Sequence, residues 1–238
     1  MVEWGERAAV VGIELGREDG QIVEEMGRAD CCGIDCPLGW PREMVRAVGR
    51  YAAEGVWSGV EKTAFRYRRT DLAVIERLRE QMGKPLYPLS VSSDRIALTA
   101  WRIAGLRELL DRRFDRAGSD NVFEVYPAAA LQLWGFDRRG YKESGSAGRV
   151  VRARLLAAIR QVAPWLEWED PSLESACVES DHALDALVAS LITRAAALGL
   201  TYPNEPDDLA LAQEEGWIHL PRAGSLGQLL GTEGESGR

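Results

Sequence analysis

Three short apolar runs constrain the fold of this chain more than any other feature. They cover residues 7–16, 30–35 and 121–126, and turn-forming residues bound each of them. Apolar runs of this length and setting are typical of buried β-strands. Long stretches with helical periodicity separate them, so the sequence predicts an α/β domain with a partly parallel sheet.

Helices account for most of the remaining predicted structure, because apolar residues recur there at three- and four-residue spacing. The predicted helices cover residues 20–28, 41–54, 71–82, 94–117, 128–134, 147–162 and 181–198. We expect a single domain over residues 1–221, with a helical insertion over 41–117. The segment 222–238 is rich in Gly, Ser and Glu, and we expect it to be a disordered tail.

The net charge of −8 at pH 7 limits the partners of this chain. It opposes non-specific attraction to polyanions, so a nucleic-acid enzyme with this charge must concentrate its basic side chains or recruit metal ions. No apolar stretch approaches the ~20 residues that a bilayer span requires, and the first residues lack the apolar region of a signal peptide. We therefore expect a cytoplasmic protein without membrane contact.

Two acidic residues lie at the ends of predicted strands. Asp35 closes the second apolar run, Glu124 lies in the third, and a proline turn follows each of them closely. The carboxyl ends of parallel strands meet at one edge of an α/β sheet, where functional crevices lie. Glu124 also has apolar neighbours on both faces of its strand. A carboxylate in such a setting is costly unless it is paired or binds a cation.

A second pair of acids opens the last predicted helix. Asp181 and Asp185 are four residues apart and share a helix face, which continues through Val188 and Ile192. We expect this face to be buried, whereas surface acids usually lie on the opposite side of a helix. The first turns of a helix stabilise negative charge, which makes both carboxylates favourable there.

Each acid also has a structural interpretation, which the sequence leaves open. Asp181 could be only an N-cap or first-turn residue, and Asp35 could hydrogen-bond its own backbone in a turn. Glu124 could pair with a buried arginine. The joint pattern of the acids instead predicts a site for Mg²⁺ or Mn²⁺, because these hard cations prefer carboxylates. Two such ions about 4 Å apart can drive phosphodiester cleavage.

Several motifs resemble those of a known family. They are Gly33-Ile34-Asp35-Cys36-Pro37-Leu38-Gly39-Trp40-Pro41, Arg69-Thr70-Asp71, Phe123-Glu124-Val125-Tyr126-Pro127, Lys142, Asp181-His182-Ala183-Leu184-Asp185-Ala186-Leu187 and Glu215-Gly216-Trp217-Ile218-His219-Leu220-Pro221. In this order they resemble the predicted RNase H-like nucleases called domain of unknown function 429. The resemblance covers residues 1–221.

The resemblance implies an RNase H-like mixed sheet flanked by helices, and a metal-dependent nuclease that hydrolyses phosphodiester bonds in nucleic acid. The residues it implies for catalysis and for binding Mg²⁺ or Mn²⁺ are Asp35, Glu124, Asp181 and Asp185. The residues it implies for substrate binding are Arg69 and Lys142. The alternative is a binding or structural protein that keeps the fold without a complete site.

The start of the chain departs from this fold. Such proteins open with a central strand that bears an Asp, followed by a hairpin of two strands. The residues before Asp35 leave room for only the last hairpin strand, with Val2-Glu3-Trp4 as a stub of the one before. We therefore expect that the chain starts late, through a wrongly chosen start codon or a true truncation, and a search for a Gly-(Ile/Val)-Asp strand upstream in the reading frame tests this. A rival interpretation makes Gly12-Ile13-Glu14 the opening motif, although this leaves a short span for a hairpin and a helix.

The segment Phe65–Arg69 interleaves aromatic and basic side chains. These could stack on bases and pair with the phosphates of a single strand, or they could pack against the helical insertion. His182 lies between the two helix acids, and we expect it to be a partly exposed bystander rather than a base or ligand. We expect His219 to be structural.

Overall fold

The computed structural model describes residues 1–57, 59, 61–110 and 114–231, which divide into two compact units. Unit 1 comprises Met1–Arg17, Pro127–Thr201 and Leu220–Arg238, and unit 2 comprises Glu18–Tyr126 and Tyr202–His219. Both units combine strands with helices, so the α/β class is confirmed. The described strands form a three-stranded sheet in unit 1 and a two-stranded sheet in unit 2, whereas the sequence predicts one sheet.

The elements are numbered in chain order. The strands are β1 (Val2–Trp4), β2 (Ala8–Val10), β3 (Cys32–Ile34), β4 (Val122–Glu124) and β5 (Leu166–Trp168). The helices are α1 (Asp19–Arg28), α2 (Arg42–Glu54), α3 (Lys62–Arg66), α4 (Arg69–Met82), α5 (Ile96–Leu109), α6 (Pro127–Leu133), α7 (Gly145–Val162), α8 (Pro171–Glu179), α9 (Asp181–Ala197) and α10 (Leu209–Glu215). No helix of the described residues has the length and apolar character that a membrane span requires.

The sheet of unit 1 is mixed, with the order β1-β2-β5. β1 and β2 are antiparallel, with Val2 opposite Val10, so the predicted stub pairs as one strand of a hairpin. β2 and β5 are parallel. The predicted strand 7–16 is much shorter in the structure, because only the residues of β2 have a partner strand on each side. The segment 12–14 lies outside every described strand, so the rival interpretation of Glu14 on an opening strand is wrong.

Helix α9 forms much of the core of unit 1. Its buried residues are Ala183, Leu184, Asp185, Leu187, Val188, Ala189, Leu191, Ile192, Thr193 and Ala195. A helix that is apolar around most of its circumference is typical of an interior position. Burial of each large aliphatic side chain contributes roughly 1.5–3 kcal/mol, which anchors this helix firmly. The acid among these residues, Asp185, therefore lies on a helix that packing holds in place.

The sheet of unit 2 pairs β3 with β4 in parallel, and Ile34 lies opposite Glu124. The predicted parallel arrangement of these two strands is confirmed. Ile218 extends the pairing through an isolated parallel bridge to Glu124. Helix α4 contributes Val74, Ile75 and Leu78 to the core of this unit. Asp35 and Glu124 thus belong to the carboxyl edge of one small sheet.

The predicted helix 94–117 ends earlier in the structure, since α5 stops at Leu109. A turn occupies residues 115–120 instead. The Asp115 carboxylate accepts hydrogen bonds from the amides of Ala117 and Ser119 there. Such local bonds compete with helix formation, which explains the difference. Four further elements were not predicted from sequence: α3, β5, α8 and α10.

The predicted tail is ordered in its first part. Residues Ser225–Gln228 form a 3-10 helix, and the Leu226 and Leu229 side chains are buried. The Trp134 indole donates to Ser225 Oγ at 3.1 Å. The prediction of disorder is therefore wrong for residues 222–231, because two leucines reach the core of unit 1. Residues 232–238 lie outside the described part of the chain.

Candidate functional site

Asp35 lies directly after β3, in an exposed bend. The thiol of Cys36 is buried beside it, and burial raises the pKa of this thiol to about 12. The negative charges of Glu124 and Asp35 add to this rise. Cys36 is therefore a neutral thiol at pH 7 and behaves as a small apolar residue. Asp35 combines the predicted strand-end position with exposure to solvent.

Glu124 is fully engaged by a buried arginine. Arg68 Nη1 donates to Glu124 Oε2 at 2.8 Å, and Nη2 donates to Oε1 at 2.7 Å. Both side chains are almost completely buried, with 1% and 2% exposed. Two parallel bonds between a guanidinium and a carboxylate are among the strongest polar contacts in proteins. The structural interpretation of Glu124, pairing with a buried arginine, is therefore confirmed.

Asp71 completes this charge cluster. Arg68 Nη2 also donates to Asp71 Oδ1 at 2.9 Å, and the Leu38 amide donates to Glu124 Oε2 at 2.9 Å. Burial alone lowers the pKa of Arg68, but the charges of Glu124 and Asp71 reverse this and hold it above its ordinary value. Burial also raises the pKa of Glu124, and the bonds from Arg68 and Leu38 oppose that rise. The hydrogen bonds of the cluster compensate for its burial.

The closing motif surrounds the same cluster. Glu215 accepts the amide of Arg42 at 2.7 Å with Oε1 and the amide of Arg69 at 2.7 Å with Oε2. One carboxylate thus satisfies the first amides of both α2 and α4. The next residue is Gly216 (φ +91°), where a Cβ would lie 2.7 Å from Glu124 Oε2. Only glycine fits this close approach.

Asp185 has a different environment, in unit 1. It lies in the second turn of α9, and its side chain is 8% exposed. The Tyr141 hydroxyl donates to Oδ1 at 2.9 Å, and Lys142 Nζ lies 2.8 Å from Oδ2. The Lys142 side chain is 54% exposed, whereas Tyr141 is buried. The structure therefore brings together two predicted site residues, one catalytic and one for substrate binding.

Arg152 holds the loop that carries Tyr141 and Lys142. Its guanidinium donates to the carbonyls of Tyr141 at 2.7 Å and Glu143 at 3.1 Å, on either side of Lys142. Arg152 also donates to the carbonyl of Glu179 at 3.2 Å, close to the start of α9. At Gly148, a Cβ would lie 1.8 Å from the Glu143 carbonyl oxygen. This packing fixes the loop backbone relative to the helix of Asp185.

Asp181 is the first residue of α9, and Ser180 is the N-cap, with its side chain accepting the Ala183 amide. The N-cap interpretation of Asp181 is therefore wrong, while its place in the first turn is confirmed. Among the described residues, no hydrogen bond or ion pair of the Asp181 carboxylate is formed. Asp181 and Asp185 share a face of α9, because helical residues four apart lie next to each other.

Arg69 is engaged within unit 2. Its Nε donates to Asp208 Oδ1 at 3.1 Å, and Nη1 donates to Glu76 at 3.2 Å. These bonds raise the pKa of Arg69, although partial burial acts in the opposite direction. Arg68, its neighbour, is buried and cannot serve as an exposed phosphate contact in the segment Phe65–Arg69. The prediction that the basic side chains of this segment pair with phosphates is therefore wrong for Arg68.

The aromatic part of that segment packs locally. Phe65 stacks on Trp57 with ring centroids 5.5 Å apart, and Tyr51 of α2 meets Trp57 edge-on. These contacts support packing of the loop against the helical segment. Of the histidines, His182 is exposed. His219 is mostly buried and contacts Phe123, and its Nε2 donates a hydrogen bond to the Ala117 carbonyl oxygen at 3.2 Å.

The four predicted metal ligands are divided between the two units. In the part of the chain that the structure describes, no group of three or more His, Cys, Asp or Glu side chains is arranged to hold a metal. Asp35 and Glu124 belong to unit 2, and Asp181 and Asp185 belong to unit 1. The joint ligation of one cation by all four stays a prediction.

Sequence reasoning missed the roles of three residues in these sites. Arg68 precedes the quoted Arg69-Thr70-Asp71 motif and pairs with Asp71 at a helical spacing of three. Tyr141 adjoins Lys142. Arg152 lies on the buried face of α7, with Gly148 and Leu155. A basic residue at this spacing within an apolar face is the signal that could have identified it, because such a side chain requires partners.

A family model described as "Protein of unknown function (DUF429)" matches residues 1–208. The chain belongs to this family. The match covers most of the chain and confirms the resemblance at the level of the family. The closing motif from Glu215 onward lies beyond the matched range. Neither the curated proteins nor the solved structures compared with the chain contain a match.

Proposed function

We propose that this DUF429 protein is a divalent-metal-dependent nuclease with an RNase H-like fold, which hydrolyses phosphodiester bonds in nucleic acid. The observation that carries the proposal is the Asp185 carboxylate. It is buried in a rigid helix, yet it is bound to an ammonium group that extends into solvent. A buried carboxylate whose partner extends into solvent can receive a cation from solution, whereas the closed pair of Arg68 and Glu124 cannot.

Asp181 and Asp185 fit a hard cation. Both offer carboxylate oxygens on one helix face, and Asp185 already holds a positive charge at Oδ2. A bound Mg²⁺ or Mn²⁺ would activate water and stabilise the leaving oxygen. Glu124 does not fit as a ligand, because Arg68 and the Leu38 amide use both of its oxygens. We therefore assign Glu124 no step in the reaction.

The side chains of unit 1 have distinct roles in this proposal. Tyr141 orients the Asp185 carboxylate through its hydroxyl. Lys142 binds a phosphate oxygen of the substrate, because an exposed ammonium beside an anionic site attracts the polyanion. Asp181 supplies a second carboxylate at the mouth of the site. The parts of Asp35 and Arg69 in substrate or metal binding remain predictions from the family resemblance.

A second candidate function is a binding protein that keeps the fold without catalysis. The observation that favours it is the engagement of Glu124 by Arg68, which removes one of the predicted ligands. The two candidates predict different responses to metal. A nuclease requires a cation at Asp185, whereas a binding protein needs only its basic side chains.

The test is a cleavage assay on single-stranded, double-stranded and hybrid substrates with Mg²⁺ or Mn²⁺. We expect cleavage by the wild type and a metal-dependent rise in Tm, both abolished in Asp185→Asn. Glu174→Gln changes a partly exposed acid of unit 1 that pairs with Arg160, and this matched control should behave as the wild type. Cleavage that survives in Asp185→Asn would indicate a contaminant or another site. Metal-independent binding without cleavage would support the second candidate.

A further inference from the structure

The two partners of Asp185 differ in how easily they can leave. Tyr141 is 2% exposed, and its backbone carbonyl is held by Arg152. Lys142 extends into solvent on a flexible four-carbon chain, and only its ammonium group touches Asp185. Because the Lys142 end of this ion pair lies in solvent, a cation from solution can reach Asp185 by displacing it, although the carboxylate itself is buried. Oδ1 therefore has a permanent donor, and Oδ2 has a replaceable one.

We propose that Lys142 and a divalent cation compete for Asp185, so that metal binding releases Lys142 to contact a substrate phosphate. This inference rests on the proposed function and adds a regulatory step to it. In the metal-free protein, the Lys142 ammonium neutralises a buried carboxylate that would otherwise lack a cation. A divalent cation held by Asp185 would repel the Lys142 ammonium, and the Lys142 side chain would turn to the solvent.

The exchange of Lys142 for a divalent cation requires movement of the Lys142 side chain only. Arg152 clamps the carbonyls on either side of Lys142, so the backbone stays in place while the side chain moves. The freed ammonium would remain within reach of the site, since the backbone on either side of Lys142 is held by Arg152. Asp181, on the same helix face, provides the second carboxylate that favours a divalent cation over an ammonium group.

The competition predicts that one substitution, Lys142→Met, increases the affinity of the protein for Mn²⁺. Lys142→Met removes the competing charge and keeps most of the side-chain length. We expect Mn²⁺ to bind this variant about tenfold more tightly than the wild type, since a unit charge a few ångströms away changes binding by at least this factor near a protein surface. A lysine with only a structural role, or one that assists the metal site, would leave the affinity unchanged or lower it.

The experiment is a calorimetric titration of Mn²⁺ into the full-length wild type, Lys142→Met, and the double variant Asp185→Asn with Lys142→Met. Lys62→Met is the matched control, because it makes the same charge change at an exposed lysine of unit 2. We expect tighter binding in Lys142→Met only, and loss of binding in the double variant. The Tm of each protein with and without Mn²⁺ provides a second readout.

The outcomes separate this inference from the proposed function. Equal or weaker binding by Lys142→Met, with normal binding by the wild type, overturns the competition and leaves the nuclease proposal intact. Tight binding that persists in the double variant also overturns it, because the metal then binds elsewhere. An absence of Mn²⁺ binding in the wild type and in Lys142→Met overturns both proposals.

Discussion

Two buried carboxylates in this protein have opposite relations to solvent. Glu124 in unit 2 lies within a closed cluster. Arg68 donates hydrogen bonds to Glu124 and Asp71, and the Leu38 amide donates to Glu124. Asp185 in unit 1 has one buried partner, Tyr141, and one exposed partner, Lys142. The sequence presents both acids in the same way, as carboxylates among apolar residues.

The difference lies in the type of cation that each acid binds. An arginine fits a carboxylate with two fixed bonds and excludes other cations, whereas a lysine offers one point of contact on a flexible chain. In the closed pair, both oxygens of Glu124 are occupied by buried donors. In the open pair, the cation of Lys142 extends into solvent. Burial alone therefore does not distinguish the two acids, whereas the solvent exposure of their partners does.

The largest effect should follow removal of the charge of Glu124. Glu124→Gln leaves Arg68 with one carboxylate fewer in the interior, and we expect a loss of about 3 kcal/mol in the free energy of unfolding. Urea denaturation measures this loss. Glu54→Gln, which breaks an exposed pair with Arg50, is the control and should change stability by less than about 0.5 kcal/mol. A Glu124→Gln protein of unchanged stability that has lost the metal-dependent rise in Tm would contradict the assignment of Glu124 to a closed, structural ion pair.

A smaller loss should follow from Glu215, which supports the closed cluster. Glu215→Ala leaves the first amides of α2 and α4 without their acceptor. Each such cap contributes about 1 kcal/mol, so we expect a loss of about 2 kcal/mol. Glu215→Gln retains one acceptor oxygen and should lose about half as much. Equal losses in both variants would show that the charge, rather than the two caps, matters.

The stability of unit 2 should also depend on pH through His219. Burial lowers the pKa of His219 to about 4, below its ordinary value near 6.5. The unfolded chain therefore binds a proton more readily than the folded protein, and stability should fall as the pH decreases from 6.5 to 4. Unfolding curves at pH 7 and 5 test this. His219→Gln should flatten the dependence, and an unchanged slope in that variant would contradict the assignment.

The smallest expected effect concerns the fixed partner of Asp185. Tyr141→Phe removes one hydrogen bond to Oδ1, and we expect a loss of about 1 kcal/mol in stability. We also expect weaker Mn²⁺ binding, because the carboxylate loses its orientation. Tyr87→Phe, at an exposed tyrosine, should change neither quantity. Unaltered Mn²⁺ affinity in Tyr141→Phe would show that Tyr141 does not position the acid.

Local patterns in the sequence identified much of the secondary structure. The boundaries of α2 and α9 agree closely with their periodic apolar stripes, and β3 and β4 lie within the predicted apolar runs. The predictions from sequence failed where contacts with distant parts of the chain decide whether a segment forms a strand or is buried. Residues 11–15 have strand-like composition without neighbouring strands, and Leu226 and Leu229 are buried although their segment is polar.

By itself, the sequence determined the family and the α/β class, and it indicated Asp185 and Lys142 as candidate site residues. Only the tertiary structure decided that the cation paired with Glu124 is buried and that the cation paired with Asp185 extends into solvent. Arg68 lies 56 residues from Glu124 along the chain, and Tyr141 lies 44 residues from Asp185. The physical reason is that a carboxylate in an apolar setting requires a partner, but the chain pattern does not specify which distant side chain supplies it.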